Sequence, residues 1–163
     1  MDIVLEELTA GLPDTTRMVR VAVRLVTAMV LGAMVGFERE RAGKSAGLRT
    51  HMLVALGAAL FVLIPSEAGQ GLSDLTRVIQ GIATGIGFIG TGAILKRDDQ
   101  GDIQGLTTAA GLWLTAAVGV AAGLGRSGAA IFSILLALVI LAVLTKAREW
   151  IGSGRAARTK ARG

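Results

Sequence analysis

The chain of 163 residues contains no cysteine, one histidine, two prolines and only 4% aromatic residues. Without a thiol there is no disulfide, thiolate metal site, iron–sulfur cluster or cysteine nucleophile, and nothing sulfur-based reports the redox compartment. One imidazole rules out a multi-histidine metal cage within a single chain. Charge is scarce too, at 18% against about 25% in soluble domains. What is abundant is apolar. Hydrophobic residues make up 52% of the chain, 23 residues are glycine, and the mean hydropathy is +0.63. The apolar residues come in long blocks instead of alternating faces, which excludes a disordered or fibrous chain and makes lipid the solvent.

A membrane helix needs about 20 apolar residues. On that measure the chain offers five spans, at 18–37, 50–65, 78–95, 106–124 and 127–144, the second being short. Residues 1–17 lack the basic start and apolar run of a cleavable signal and read as a short helix outside the bilayer. Residues 18–145 form the transmembrane domain. The fold class is therefore an all-α integral membrane protein, a bundle of about five helices.

A net charge of +5 in a soluble protein would suggest nucleic acid, so the placement of the 17 basic residues decides the matter. Twelve fall on one face: Arg39, Arg41, Lys44, Arg49, Lys96, Arg97 and six in the segment 146–163. Only Arg17, Arg77 and Arg126 fall on the other. The positive-inside rule then places the N-terminus out and the C-terminus in. The segment 146–163 reads as a disordered basic tail that holds anionic headgroups, with Trp150 as interfacial anchor; nucleic acid is not expected as a partner.

Two glycine patterns imitate nucleotide motifs. The run Gly85-Ile86-Gly87-Phe88-Ile89-Gly90 has the dinucleotide spacing but lies inside an apolar span, and Gly43-Lys44-Ser45 lacks the first glycine of a P-loop, because position 38 is Glu38. Helix packing explains the glycines better. Gly32/Gly36, Gly81/Gly85 and Gly119/Gly123 are each spaced by four, and small residues at that spacing let helices approach closely in lipid. Span 3 carries Gly81, Gly85, Gly87, Gly90 and Gly92. It is either the central helix, touched on several sides, or a broken helix exposing carbonyls to an ion path; the packing reading is favoured.

The charges at the membrane carry the sharpest chemistry. Arg24 lies about 5 Å from the centre of span 1 at the helical rise, where arginine costs roughly 2.5–3.5 kcal/mol on insertion scales. Its partner must come from Asp14, Glu67 or Asp74, and Asp74, one turn before Arg77, is chosen; the alternative is that Arg24 snorkels outward, as Arg20 does. On the inner face Glu38-Arg39-Glu40-Arg41 ends span 1 and Arg49-Thr50-His51 opens span 2. Thr50 is a candidate cap, Glu38 or Glu40 a candidate partner for Arg49 or His51, and His51 a pH-sensitive contact. Thr107 and Thr108 open span 4 after Asp98, Asp99 and Asp102, which either attract Mg²⁺ or balance Lys96 and Arg97. A faint repeat at an offset of 58 aligns Gly32 with Gly90, Gly47-Leu48 with Gly105-Leu106 and Thr50 with Thr108.

These residues resemble the MgtC/SapB family of bacterial inner-membrane proteins. The likeness rests on Gly32-Ala33-Met34-Val35-Gly36-Phe37-Glu38-Arg39-Glu40, Ala46-Gly47-Leu48-Arg49-Thr50-His51, Asp74 with Arg77, Gly85 to Gly92, and Gly105-Leu106-Thr107-Thr108-Ala109-Ala110 with Trp113. It covers about residues 18–144; most members look to have alanine where this chain has Thr91. It implies a role in low-magnesium adaptation and, in pathogens, survival inside macrophages. It further implies a regulator contacting membrane proteins such as the ATP synthase, although older usage calls the family Mg²⁺ transporters. The longer members carry a cytoplasmic domain whose functions are not carried over to the basic tail here.

Two functions of different class follow. One is a non-catalytic modulator that docks partner helices, with no resident cofactor beyond a possible Mg²⁺. The other is a small conduit for Mg²⁺ or K⁺ using Arg24, Asp74 and the span 3 glycines. The absence of an acid inside any span argues against a carboxylate-lined path. The small size of the bundle favours a homo-oligomer, most simply a dimer, in either case.

Overall fold

The structure is a computed structural model that describes residue 3 and residues 14–69, 71–96 and 103–160. Five long helices make up nearly all of it: α1 (Thr15–Arg41), α2 (Leu48–Glu67), α3 (Leu72–Gly92), α4 (Leu106–Gly123) and α5 (Ser127–Lys160). Between α3 and α4, β1 (Leu95–Lys96) and β2 (Ile103–Gln104) pair antiparallel, with Leu95 opposite Gln104 and Lys96 opposite Ile103. Each expected span thus has a helix. Among the described residues, α1, α2 and α4 are long and apolar enough to cross a membrane, and 127–143 of α5 is a shorter apolar stretch. α3 falls below that measure because Asp74, Arg77, Gln80 and its glycines dilute its hydropathy.

Several boundaries differ from the sequence reading, among them the start of α3, at Leu72 where 78 was expected. α1 begins at Thr15 behind Asp14 at its cap position, so residues 15–17 continue the first span; the rest of the expected outer helix, apart from Ile3, lies outside the described residues. The helical backbone of α5 continues through Lys160, where a disordered tail was expected. Alanines at positions 147, 156 and 157 and the long basic side chains of the segment favour helix, and the helical backbone runs on through Gly152 and Gly154 although glycine is a poor helix former.

α2 is the element around which the others pack. α1 lies antiparallel against one side of it. A Cβ built on Gly32 would stand 2.6 Å from the His51 carbonyl oxygen, and one on Gly36 would stand 2.7 Å from Leu48 Cα. α4 runs parallel to α2 on another side. A methyl group at Gly119 would fall on the Ala55 carbonyl, and one at Gly123 would sit 2.5 Å from the Ala59 carbonyl. In lipid, helices gain nothing from leaving water, so dispersion at such backbone-to-backbone distances supplies the association energy. The core shows the same economy of size: Ala28, Leu31 and Val35 of α1 meet Ala55 and Ala59 of α2, Val118 and Ala122 of α4, and Ala130 and Ile134 of α5.

α3 departs from both readings of its glycines. It is one unbroken helix, so no carbonyls are freed at mid-span. Nor is it central: only Ile86 and Gly90 are buried, and a Cβ at Gly81, Gly85, Gly87 or Gly92 would meet nothing within 4 Å. The spacing of four marks a face that permits close approach without stating whether a neighbour uses it. The offset-58 repeat, by contrast, is visible in the backbone. α2 and α4 start at Leu48 and Leu106, each behind a glycine. Gly32 packs on His51, and the counterpart residues Gly90 and Ala109 also meet, with 3.5 Å between a Cβ on Gly90 and that of Ala109.

The packing makes a prediction about glycine substitutions. Gly119→Ala and Gly32→Ala each destabilise the bundle by about 1–3 kcal/mol, the usual cost of overpacking. Gly81→Ala, with open space for its methyl group, costs nothing or gains up to about 1 kcal/mol from helix propensity. Unfolding of the purified variants in mixed detergent micelles measures the difference.

Candidate functional site

The polar residues singled out in the sequence separate into two clusters at opposite ends of the bundle. At the end where α1 turns into α2, Arg39 is 3% exposed and forms an ion pair with its neighbour Glu38. Glu40 reaches across the loop and accepts the Leu48 backbone N–H at 2.8 Å. Gly47 makes this possible, since a Cβ there would lie 2.7 Å from Glu40 Oε2. The first turn of α2 is thereby capped by a carboxylate from another helix, a role a local hydroxyl usually fills. Thr50, expected as the cap, stands inside the helix; the cap position is Gly47 and carries no side-chain bond.

His51 is fully buried in the first turn of α2. Its Nδ1 lies 3.0 Å from the Gly47 carbonyl, while Nε2 is buried without a hydrogen-bond partner among the described residues. Nε2 points toward Gly111 of α4, where a Cβ would stand 3.6 Å away. The expected pairing of Glu38 or Glu40 with Arg49 or His51 is therefore replaced. Glu38 holds Arg39, Glu40 holds the Leu48 amide, His51 holds Gly47, and Arg49 is exposed. Glu38 finds its cation in the adjacent residue of its own helix, and Glu40 meets the free N–H of Leu48 at the start of α2 before any side chain of that helix.

α4 contributes Thr108, buried, and Thr107, exposed. Thr115, missed in the sequence reading, is also buried; its hydroxyl donates to the Gly111 carbonyl at 2.8 Å, a bond internal to the helix that leaves no polar trace in sequence pattern. Trp113 is 54% exposed and lines a small cleft with Ile79 and Ala83 of α3. Gly105, which opens this helix, has φ +93°, and a side chain there would run into the Ala93 carbonyl, so only glycine fits the turn. Asp98, Asp99 and Asp102 lie outside the described residues. Among the described residues no three histidine, aspartate or glutamate side chains gather as metal ligands.

At the opposite end Arg24 is the central group. Its guanidinium pairs with Glu67 at the end of α2 at 3.3 Å and donates to the Gly123 carbonyl at the end of α4, also at 3.3 Å. Gly125, with φ +75°, brings the following turn against the same guanidinium. Arg24 thus ties α1 to the negative ends of two helix dipoles and to one carboxylate. This corrects the choice of Asp74: Glu67 was on the same short list, and the C-terminus of α2 lies beside α1, whereas Asp74 is exposed on α3 with Arg77. A double-mutant cycle on Arg24→Met and Glu67→Gln, read by unfolding in micelles, gives a coupling of about 1 kcal/mol for this part-buried pair; the cycle with Asp74→Asn gives none.

Known proteins place this architecture. The family model described as MgtC family matches residues 25–150. SrpB of Synechococcus elongatus is 45% identical over 113 residues, covering 63% of this chain and 62% of that protein. YhiD of Escherichia coli, provisionally named a magnesium transporter, is 38% identical over 74% of this chain and 59% of its own length. MgtC of Brucella abortus is 44% identical over 74% of this chain and 49% of its own. The match therefore spans about half to three-fifths of these relatives, and no solved structure matches. With the family model running from Leu25 in α1 to Trp150 in α5, this helical membrane protein belongs to the MgtC family.

Proposed function

We propose that the chain acts without catalysis in the bacterial inner membrane, N-terminus out and C-terminus in, as a modulator of other membrane proteins in magnesium homeostasis. The name of the relative YhiD supports the link to magnesium. The observation that carries the modulator reading is the use made of the polar motif residues. Glu38 and Arg39 bind each other, and Glu40 and His51 bind the backbone at Leu48 and Gly47, fixing the shape of one end of the bundle. Arg41, Lys44 and Arg49 stand exposed beside that fixed end and offer a basic contact surface to a membrane-protein partner, of which the ATP synthase is one candidate. Magnesium is then the ion whose level is regulated.

A conduit for Mg²⁺ or K⁺, the alternative, needs Arg24, Asp74 and the α3 glycines along one path. Arg24 stands apart from the other two: it is engaged with Glu67 between α1 and the end of α2, while Asp74 and the glycines other than Gly90 lie exposed along α3.

Two measurements test the reading together. In a bacterial strain lacking its own family member, the wild-type chain restores growth in low magnesium. Glu40→Gln and Arg49→Glu, at equal membrane abundance, lose most of that rescue. Purified protein in sealed liposomes carries neither Mg²⁺ nor K⁺. Ion flux that disappears in Asp74→Asn would overturn modulation in favour of a conduit.

A further inference from the structure

α3 leaves the bundle with one face bare. Asp74, Gly81, Gly85 and Phe88 follow at intervals of seven, four and three residues and so share one side of the helix. A Cβ at Gly81 or Gly85 meets nothing within 4 Å, and Phe88 is 85% exposed. Beside this face runs a cleft of about 720 Å³ between α3 and the outer side of α2, with Gly57 and Phe61 on one wall, Gly81 and Gly85 on the other, and Ala116 at its floor. All its lining residues are apolar and glycines stand on both walls, so a helix enters at backbone distance.

An independent observation says what enters. Asp74 and Arg77 are exposed at the head of α3, and neither has an ion-pair partner among the described residues. Asp74 suits the positive end of the helix dipole, but Arg77, on the next turn, is a cation near that same end, and neither it nor Asp74 is in ion-pair contact with a described residue. A second copy of the chain supplies the missing charges. Copies insert the same way round, so two α3 helices meeting across a twofold axis run parallel, with equal residues at equal depth. An isologous contact demands a self-complementary surface. Here that surface has one ridge and one cleft, one anion and one cation a turn apart.

We infer that α3 is the interface of a twofold-symmetric dimer, in which α3 of each copy lies in the α2/α3 cleft of the other and Asp74 of each copy pairs with Arg77 of the other. The inference stands apart from the magnesium reading, since a dimer serves modulator and conduit alike.

The test uses the full chain in native membranes and in bilayers. Because the chain has no cysteine, Phe88→Cys reports the dyad directly: it forms disulfide-linked dimers on oxidation, while Val139→Cys on the exposed side of α5 does not. Gly81→Ile fits within one copy but fills the interface, and it lowers the dimer fraction, counted by single-molecule photobleaching, by roughly tenfold. Asp74→Arg and Arg77→Asp each weaken the dimer, and the double swap restores it; these exposed sites keep the test valid should Gly81→Ile fold poorly. A monomer carrying co-purified lipid, a dimer cross-linked through α5 and indifferent to Gly81→Ile, or a different polypeptide cross-linked to Phe88→Cys in place of a second copy overturns the inference.

Discussion

The approach of two helices to the backbone of α2 is the constraint on which the rest of the bundle depends. Gly32 and Gly36 of α1 and Gly119 and Gly123 of α4 each present a bare Cα to a carbonyl or Cα of α2. In lipid a helix pair held by large side chains gains little over the same side chains in acyl chains, so depth of contact must come from the backbones themselves. Once α1 and α4 sit that close, the small residues between them become obligatory: Ala28, Ala55, Ala59 and Ala122 are fully buried. The positions of the polar groups then follow. The short turn from α1 to α2 brings Glu40 to the Leu48 amide, and the parallel run of α2 and α4 sets Glu67 and the Gly123 carbonyl side by side for Arg24.

This arrangement bears on function by separating rigid from available surfaces. Both ends of the central three helices are locked, one by the carboxylate and imidazole contacts around Gly47, the other by Arg24. The buried His51 Nε2, without a partner among the described residues, marks the one place in this core where a polar atom stands unsatisfied between α2 and α4. α3 is the opposite case, attached to α4 near Gly90 and Ala109 and otherwise open along its glycine face. The modulator reading proposed above draws on this contrast between a fixed core and an exposed third helix.

The five helices, and their limits to within a few residues except at the start of α3 and the end of α5, were legible in the sequence because hydropathy over about 20 residues is a direct consequence of bilayer thickness. The two glycine pairs that pack, Gly32/Gly36 and Gly119/Gly123, were legible for the same kind of reason, as was the offset of 58 that relates the starts of α2 and α4. Gly81/Gly85 shows where this reasoning stops. Spacing reveals which face of a helix is thin, but whether a neighbour occupies it depends on the arrangement of all five helices. The partner of Arg24 was narrowed to three acids by depth alone, and choosing Glu67 over Asp74 required knowing that α2 and not α3 lies beside α1. Glu40 as the cap of α2 was hidden because a carboxylate eight residues before the amide it serves belongs to no local motif. At α5 the hydropathy signal ended near residue 144 while the helical backbone went on to Lys160, since helix propensity does not require an apolar side chain.

The central claim is tested most directly by solid-state NMR of the isotope-labelled chain, diluted with unlabelled copies in lipid bilayers so that only contacts within one copy are seen. The account predicts carbon–carbon cross-peaks from Gly32 and Gly119 Cα to Ala55, and none from Gly81 Cα to α2 or α4. Cross-peaks linking Gly81 to α2 within one copy, with those from Gly32 and Gly119 missing, would place α3 at the centre and contradict it.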